Sequence, residues 1–168
     1  MARKKFQWWH AVVIFVVVNL LSGLPAGMSG DQAFYNSFKL PSVAPPDWLF
    51  PPMWLFLNIT SLMALYRVAN APACRSRAVF LSAEGIGWFL FSIFATLYFW
   101  LHSPILAAID TVIYAAVTVV SFATSLKIDR TAATLIAPRL VWLALASYVS
   151  VYAALYNIDP FFQRVFPL

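Results

Sequence analysis

Residues 48–68 read WLFPPMWLFLNITSLMALYRV, a run of 21 residues whose single charged side chain, Arg67, lies next to the end. A helix that crosses the hydrocarbon core of a bilayer needs about 20 apolar residues. A strand of a membrane barrel would alternate apolar and polar residues over about ten positions, whereas this run is apolar on every face. The stretch therefore predicts a membrane-spanning helix.

Four other stretches have the same character, so the sequence predicts five spans. They are Trp8–Leu24, Trp48–Val68, Ala78–Leu101, Ile105–Leu126 and Leu135–Tyr156. The 168-residue chain is 62% hydrophobic and 10% charged, whereas about a quarter of a soluble domain is charged. So few charges cannot cover a water-exposed surface, which excludes a soluble enzyme, a disordered chain and a nucleic-acid module. The predicted fold class is an all-α integral membrane protein, a bundle of five transmembrane helices in one domain of residues 1–168.

The first span and the connection after it need separate treatment. The cluster Arg3-Lys4-Lys5 before an apolar run, with Pro25-Ala26-Gly27 after it, is also compatible with a signal peptide. We favour a retained helix because no clean small-x-small cleavage site follows; cleavage would leave four spans. The Gly, Pro and Ser content of the long connection Pro25–Asp47 predicts an ordered, turn-rich loop rather than a helix.

The basic residues predict how the chain is oriented in the membrane. Nine of the eleven Lys and Arg residues fall on one side, at positions 3, 4, 5, 67, 75, 77, 127, 130 and 139. Lys39 and Arg164 fall on the other side. By the positive-inside rule we expect a cytoplasmic N-terminus, an outside C-terminus and an outer loop at 25–47.

A specific pattern surrounds the second span and extends upstream of it. Residues 34–57 read F-Y-x-x-F-x-x-P-S-x-x-P-P-x-W-x-F-x-P-x-W-x-x-L. The pattern resembles the hallmark of the TspO/translocator-protein family (tryptophan-rich sensory proteins), W-Y-x-x-L-x-x-P-x-x-x-P-P-x-W-x-x-x-P-x-W-x-x-L-Y. In the fifth span Pro138-x-Leu140-x-Trp142-x-x-x-Ala146 is similar to the family's P-Y-L-x-W-x-x-x-A, and Asp110 occupies the place of an acidic residue common in the fourth helix. The register runs without gaps from Phe34 to Asn157, and five spans is also the family's number.

The departures from the family pattern mark a divergent member. Gly87, Phe91, Phe94 and Thr96 stand where the family's third helix has Gln, Asn, Trp and Pro. Four more positions differ from the family's residues: Asn58, Trp100, Arg139 and Ser150. The sterol-recognition pattern usual at the end of the fifth helix is absent, because no basic residue follows Tyr156 before Arg164. We expect a drier, more crowded cavity that favours flat or isoprenoid apolar ligands and leaves tetrapyrroles open.

Depth along the spans predicts a pocket without reference to the family. At 1.5 Å per residue, four residues share one level roughly 10 Å below the outer surface: Trp54, Phe94, Asp110 and Ser150. One turn deeper come Asn58, Phe91, Tyr114 and Ala146. Aromatic walls with a few polar groups are typical of a small-molecule site, and an intramembrane carboxyl is a functional candidate by default. The alternative is that Asp110 only fixes helix packing.

The resemblance adds its own expectations about this pocket. In the family the ligand cavity lies between these helices under the first loop, which implies that Trp54, Asp110, Trp142 and Ala146 line it. Trp48, Trp54 and Trp142 could stack on a flat ligand while Asp110 holds its polar end. The predicted ligand-binding set is thus Trp48, Trp54, Asn58, Phe91, Phe94, Asp110, Tyr114, Trp142, Ala146 and Ser150.

Two charged residues are predicted in the cytoplasmic half of the membrane. Glu84 and Arg139 could form a buried ion pair, because either one alone in lipid would cost several kcal/mol. The alternative is that Arg139 reaches the cytoplasmic interface and Glu84 faces a dimer contact. Since Glu84 and Asp110 fall in opposite leaflets, close two-carboxylate catalysis is not expected.

Other cofactor and catalytic chemistry finds little support. His10 and His102 fall on opposite sides of the membrane, so they cannot clamp one metal or haem iron, and no metal site is expected. The single cysteine, Cys74, excludes an intramolecular disulfide. Ala83-x-x-x-Gly87 is compatible with a homodimer, because the family dimerises through this helix.

The first functional hypothesis is binding, transfer or sensing of a hydrophobic small molecule, with a bound tetrapyrrole or isoprenoid as the possible cofactor. The expected partners are membrane lipid, this ligand and a second copy of the chain, without nucleic acid. The resemblance supports this hypothesis, because the family binds porphyrins and sterol-like lipids. A second hypothesis is a membrane enzyme, degrading porphyrin or protonating an isoprenoid double bond with Asp110. A third is an accessory subunit of a pigment or respiratory complex.

Overall fold

The computed structural model describes residues 5–29 and 31–163, so the expectations for Arg3, Lys4 and Arg164 lie outside the described residues. Within these described residues, five long helices form the fold, each long and apolar enough to cross a membrane. They are α1 (Trp8–Ser29), α3 (Phe50–Asn70), α4 (Arg75–Ala95), α5 (Pro104–Leu126) and α6 (Arg130–Tyr156). A short helix, α2 (Asp31–Asn36), follows α1, and a 3-10 turn (Asp47–Leu49) precedes α3. The predicted all-α, five-span membrane fold is confirmed.

Local capping chemistry determines where the helices start. Asp129 caps α6, where its Oδ1 accepts hydrogen bonds from Thr131 N at 2.8 Å and Ala132 N at 3.3 Å. The α6 helix therefore starts at Arg130, upstream of the span start expected at Leu135, since a polar first turn can be helical outside the hydrocarbon. Pro104 occupies the first turn of α5, where a missing N–H costs nothing.

The connection predicted as a loop is partly helical. The α1 helix continues through Pro25 to Ser29, and α2 adds another turn and a half before the chain becomes irregular. The expectation that Pro25–Asp47 contains no helix is therefore wrong at its start. A proline inside a membrane helix is tolerated because neighbouring groups re-satisfy the freed backbone.

The helices form a closed ring in the order α1, α4, α5, α6, α3. One half of this ring is solid: Leu62, Leu65, Phe80 and Ile136 belong to its buried apolar core. That half ends at the basic loops, where Arg67 Nε donates to Asp129 Oδ2 at 2.7 Å. This bond is the main cause that lowers the pKa of Asp129. The stabilisation it gives is therefore present at neutral pH and lost on acidification.

Between α4 and α5 the chain makes a π-helical turn at Thr96–Trp100. The wider turn closes with a hydrogen bond from Leu101 N to Thr96 O at 2.9 Å. It begins at the position where the family pattern has proline. Turns of this kind are frequent at functional sites, and this one carries Tyr98 towards the interior.

Candidate functional site

The other half of the bundle is hollow. A cavity of about 500 Å³ lies inside the ring, within the range of small-molecule sites. All five long helices contribute to its wall, and the outer connection contributes Tyr35, Leu40 and Pro45. The solid half of the bundle lies on one side of this cavity, and the outer connection lies on the other.

Most of the residues predicted from depth and resemblance line this cavity. They are Trp54, Phe91, Phe94, Asp110, Tyr114, Trp142, Ala146 and Ser150. Trp48 does not line it: its side chain is 64% exposed, because the 3-10 turn points it away from the bundle. Asn58 is buried behind the wall, where its amide donates to Asn19 Oδ1 at 3.2 Å, and Asn19 is the residue that faces the cavity.

Aromatic rings form the deep end of the cavity. The rings of Trp54 and Tyr114 are parallel within 5° with centroids 6.3 Å apart, and Phe91 lies 5.1 Å from Trp54. Nearer the mouth, Phe50 contacts Trp142 edge-on at 5.7 Å. These faces offer flat apolar surface with little side-chain entropy to lose on binding.

Asp110 is the charged group that stands out in this wall. Its side chain lies one helical turn from Tyr114 on the same face of α5, and the residue is only 4% exposed. Neither carboxyl oxygen has a hydrogen-bond partner among the residues that the structure describes. The neighbouring Thr111 hydroxyl does not supply one, because it donates to Ala107 O at 2.7 Å. Buried polar groups without partners are rare and need a reason.

Trp142 also carries a buried polar group without a hydrogen-bond partner among the described residues, but this group is a donor. Its indole Nε1 is buried and, within residues 5–29 and 31–163, has no acceptor. Among the described residues that line the cavity, the Tyr114 hydroxyl is also buried without a partner. The wall thus presents an unused acceptor at Asp110 and unused donors at Tyr114 and Trp142, and a ligand with a polar end can satisfy any of them.

A cover of aromatic side chains closes the cavity towards the outer loop. Tyr35, Tyr98 and Ala107 form a buried cluster, against which Phe34 and Phe38 pack. The Tyr35 hydroxyl donates to Pro45 O at 2.8 Å. Burial, with a smaller contribution from Asp47, raises the pKa of Tyr35, so this hydroxyl stays a donor at neutral pH.

The outer connection is fastened to the end of α6 through Lys39. Asn157 Oδ1 accepts from Lys39 N at 2.8 Å, and Asn157 Nδ2 donates to Lys39 O at 3.0 Å. The Lys39 ammonium also lies 5.6 Å from the centroid of the Tyr156 ring. The outer connection is therefore held at a defined position over the cavity.

The ion pair expected from sequence lies below the cavity, next to the Tyr114 ring. Both Arg139 and Glu84 are 1% exposed. Arg139 Nη1 donates to Glu84 Oε2 at 3.2 Å, and Nη2 donates to Oε1. The guanidinium also lies 5.6 Å from the centroid of the Tyr114 ring, which it supports. Glu84 is thus occupied below the cavity and does not provide a second carboxylate beside Asp110.

The small-residue pair on α4 serves packing inside the bundle. A Cβ at Gly87 would lie 3.0 Å from Tyr114 Cε2, so the absence of a side chain lets the tyrosine ring approach. Ala83 is buried as well. Ala83 and Gly87 therefore both face their own bundle, and the homodimer with which the pair is compatible stays a prediction.

Of the neighbouring pairs of long helices in the ring, α1 and α3 make the weakest contact. Gly23 and Gly27 on α1 line the cavity there, and a Cβ at either would meet nothing within 4 Å. Opposite them, Pro51 and Leu55 on α3 both line the cavity and are exposed on the outside. Lipid-facing and cavity-facing surface therefore meet at this gap.

Sequence reasoning missed several wall residues. Asn19 is a lone amide in an otherwise apolar span, which is a signal that the sequence contained. Tyr98 follows Phe94 by one helical turn, and the two rings stack with centroids 5.7 Å apart. Tyr35 had no such signal, because its position depends on the path of the outer connection.

Comparison with known proteins bears on the whole bundle. The sequence model of the TspO/MBR family matches residues 11–155, which reach from α1 to α6. The chain belongs to the TspO/MBR family. This membership confirms the resemblance read from residues 34–57 and from the fifth span, and it includes the helix α1 in the family's domain.

Individual relatives agree with this assignment. The chain is 30% identical over 127 residues to a tryptophan-rich protein TspO of Chlorobaculum tepidum, covering 70% of this chain and 75% of the relative. It is 27% identical over 155 residues to a protein of the same name from Archaeoglobus fulgidus, covering 86% and 98%. A shorter match, 33% over 57 residues, joins it to protein CrtK of Rhodobacter capsulatus, covering 34% and 36%.

Proposed function

We propose that this member of the TspO/MBR family binds an apolar small molecule in the cavity under the outer connection, and that it transfers or senses that molecule. The candidate ligand classes are tetrapyrroles, sterol-like lipids and isoprenoids. The observation that carries the proposal is Asp110, a buried carboxyl with no hydrogen-bond partner among the described residues, in the wall of a cavity of about 500 Å³. A packing role would require a partner for this group, whereas a binding role leaves the partner to the ligand.

The gap between α1 and α3 supports transfer rather than permanent storage. An apolar ligand dissolved in the bilayer could enter beside Gly23 and Leu55 without crossing the aqueous phase. The two glycines place no side chain in that path. The aromatic cover lies over the cavity on the side of the outer connection, so we expect exchange with lipid.

Gentle purification from the native host, with the absorbance spectrum and mass spectrometry of the organic extract, tests the proposal. A stoichiometric tetrapyrrole, carotenoid or sterol is the expected finding. An extract that contains only bulk lipid, together with no saturable binding of added apolar ligands, would contradict it.

Trp54→Leu is expected to weaken binding of a flat apolar probe such as retinol about twofold to tenfold. Loss of one aromatic contact is worth about 0.5–1.5 kcal/mol, which converts to about that range. Fluorescence energy transfer from protein to retinol in nanodiscs provides the measurement. Trp100→Leu is the matched control, since Trp100 is exposed and does not line the cavity. Equal weakening by both substitutions would count against the cavity as the binding site.

We also propose that the basic end of the bundle faces the cytoplasm. The chain's single cysteine, Cys74, is exposed in the loop between α3 and α4 and therefore reports on this end. A membrane-impermeant maleimide is expected to label it only after the cells are permeabilised. In a Cys74→Ser background, Val43→Cys in the exposed outer connection should instead be labelled in intact cells. The reverse labelling pattern would invert the orientation.

A further inference from the structure

A second pocket lies at the basic end of the bundle and shares no lining residue with the cavity. Its volume is about 630 Å³, and it is formed by the segment before α1, the first turn of α1, the last turns of α3 and the first turns of α4. Its ionisable side chains are Lys5, His10 and Arg77, and none of the described residues that line it is aspartate or glutamate. This pocket, the basic groove, therefore suits an anion.

Lys5 and Arg77 carry charge that no carboxylate neutralises within the described part of the chain. The ion pairs found there involve Arg67 and Arg139 instead. The helices α1 and α4 both begin at this end of the bundle. The unpaired N–H groups of a helix N-terminus carry partial positive charge. The side chains and the helix ends thus give the groove a positive potential.

The backbone at the end of α3 holds the walls of the groove in position. Arg77 Nε donates to Val68 O at 3.1 Å and Nη2 donates to Ala69 O, so the guanidinium is fixed while Nη1 has no partner among the described residues. The segment before α1 is fastened too, because Asn70 Oδ1 accepts from Phe6 N at 3.0 Å and Asn70 Nδ2 donates to Phe6 O at 2.9 Å. The groove is therefore preformed.

His10 adds a third donor to the groove. Its ring stacks on Phe6 and on Trp9, with centroid distances of 5.1 and 3.8 Å. Gln7 N donates to His10 Nδ1 at 2.8 Å. Since a backbone N–H can only donate, Nδ1 is an acceptor here, and the proton of the neutral ring is on Nε2.

The groove is charged at its outer edge and apolar below it. On α3, Leu65 lies one turn deeper than Ala69, and both line the groove. On α4, Leu81 lies one turn deeper than Arg77. One turn of four residues corresponds to about 6 Å towards the middle of the membrane. A phospholipid has the same order of groups, with a phosphate at the surface and acyl chains below it, whereas a free anion would leave the apolar part uncovered.

From these observations we infer that the basic groove binds an anionic phospholipid, with its phosphate at Lys5 and Arg77 and the start of an acyl chain against Leu65 and Leu81. The inference is independent of the ligand proposed for the cavity. Basic pockets between membrane helices recognise lipid headgroups by this chemistry. The lipid would connect the segment before α1 to α4, and only 6% of the α1 span is buried inside the bundle.

Native mass spectrometry of the delipidated protein in a neutral detergent tests the inference, because it counts the lipids bound to each molecule. Phosphatidylglycerol and phosphatidylcholine with identical acyl chains are the two lipid probes. We expect the first phosphatidylglycerol to bind at least about tenfold more tightly than phosphatidylcholine. Glycerol 3-phosphate, which is the same kind of anion without acyl chains, should not displace it at equal concentration.

Substitutions at the groove test the residues themselves. Lys5→Gln and Arg77→Gln should each weaken binding of phosphatidylglycerol about fivefold and leave phosphatidylcholine unchanged. Lys127→Gln is the matched control, since it removes one exposed positive charge at the same end of the bundle, outside the groove. Lys5 precedes α1, so its substitution does not disturb a helix, whereas Arg77→Gln also removes two hydrogen bonds at the end of α3.

Each contrary outcome overturns the inference in a different way. Equal binding of the two lipids would mean that the groove does not read the headgroup. Equal weakening in Lys5→Gln and Lys127→Gln would assign the preference to net charge rather than to the groove. Displacement of the lipid by glycerol 3-phosphate at equal concentration would show a site for a free anion instead of a lipid.

Discussion

Replacing Arg139 by methionine is expected to lower the free energy of unfolding by about 3–5 kcal/mol, the usual effect of removing one partner of a buried ion pair. The substitution leaves the Glu84 carboxylate 1% exposed and without its guanidinium, in the solid half of a membrane bundle. It also removes the support under the Tyr114 ring. Thermal unfolding in detergent, followed by tryptophan fluorescence and size exclusion, measures the loss.

The double variant Glu84→Leu/Arg139→Met distinguishes an unpaired charge from lost volume. Apolar replacements of similar size are often neutral when both charges are removed together. We therefore expect the double variant to recover most of the stability that Arg139→Met loses. If the double variant is instead even less stable than Arg139→Met, the pair contributes through packing, and the electrostatic explanation is wrong.

The fold could be predicted from the sequence because the bilayer restricts the choices. Within hydrocarbon every backbone group must be satisfied internally, so long apolar runs become helices whatever their neighbours are. The structure differs from the expectation where this restriction ends. The α6 helix begins before the span expected from Leu135, because a hydropathy pattern does not register the cap at Asp129. The turns beyond Pro25 were missed because proline and glycine are ordinarily signals of loops.

The cavity could be predicted in part, because depth along straight helices fixes which side chains share a level. Asp110, Trp54 and Phe94 line it for that reason. Trp48 does not line the cavity, because it precedes α3 and a 3-10 turn rather than an α-helix sets the direction of its side chain. Tyr35 was missed because it lies in the outer connection, whose path depends on contacts distant in sequence, such as the one between Lys39 and Asn157. The level of a side chain along a straight helix can be predicted from its position in the sequence, whereas the path of the outer connection cannot.

Asp159 makes a second contact between segments that are distant in sequence. It lies beyond α6, is 1% exposed, and its Oδ2 accepts from Ser103 Oγ at 2.7 Å and Ile105 N at 2.9 Å. Its Oδ1 accepts from two backbone N–H groups of the turn that follows, at 2.9 and 3.0 Å. One carboxylate thus joins the segment after α6 to the N-terminal end of α5, the helix that carries Asp110.

Asp159→Ala is expected to lower the free energy of unfolding by about 2–4 kcal/mol, because it leaves two buried donors at the start of α5 without an acceptor. Asp129→Ala is the matched control. Asp129 also caps a helix, but its side chain is 22% exposed, so water can replace it at a cost of about 1 kcal/mol. Thermal unfolding compares the two variants, and hydrogen exchange at Ile105 and Leu106 locates the effect. Equal losses in both variants would mean that burial adds nothing to this cap. A larger loss at Asp159 with faster exchange at the start of α5 would show that the end of the chain holds the wall of the cavity in place.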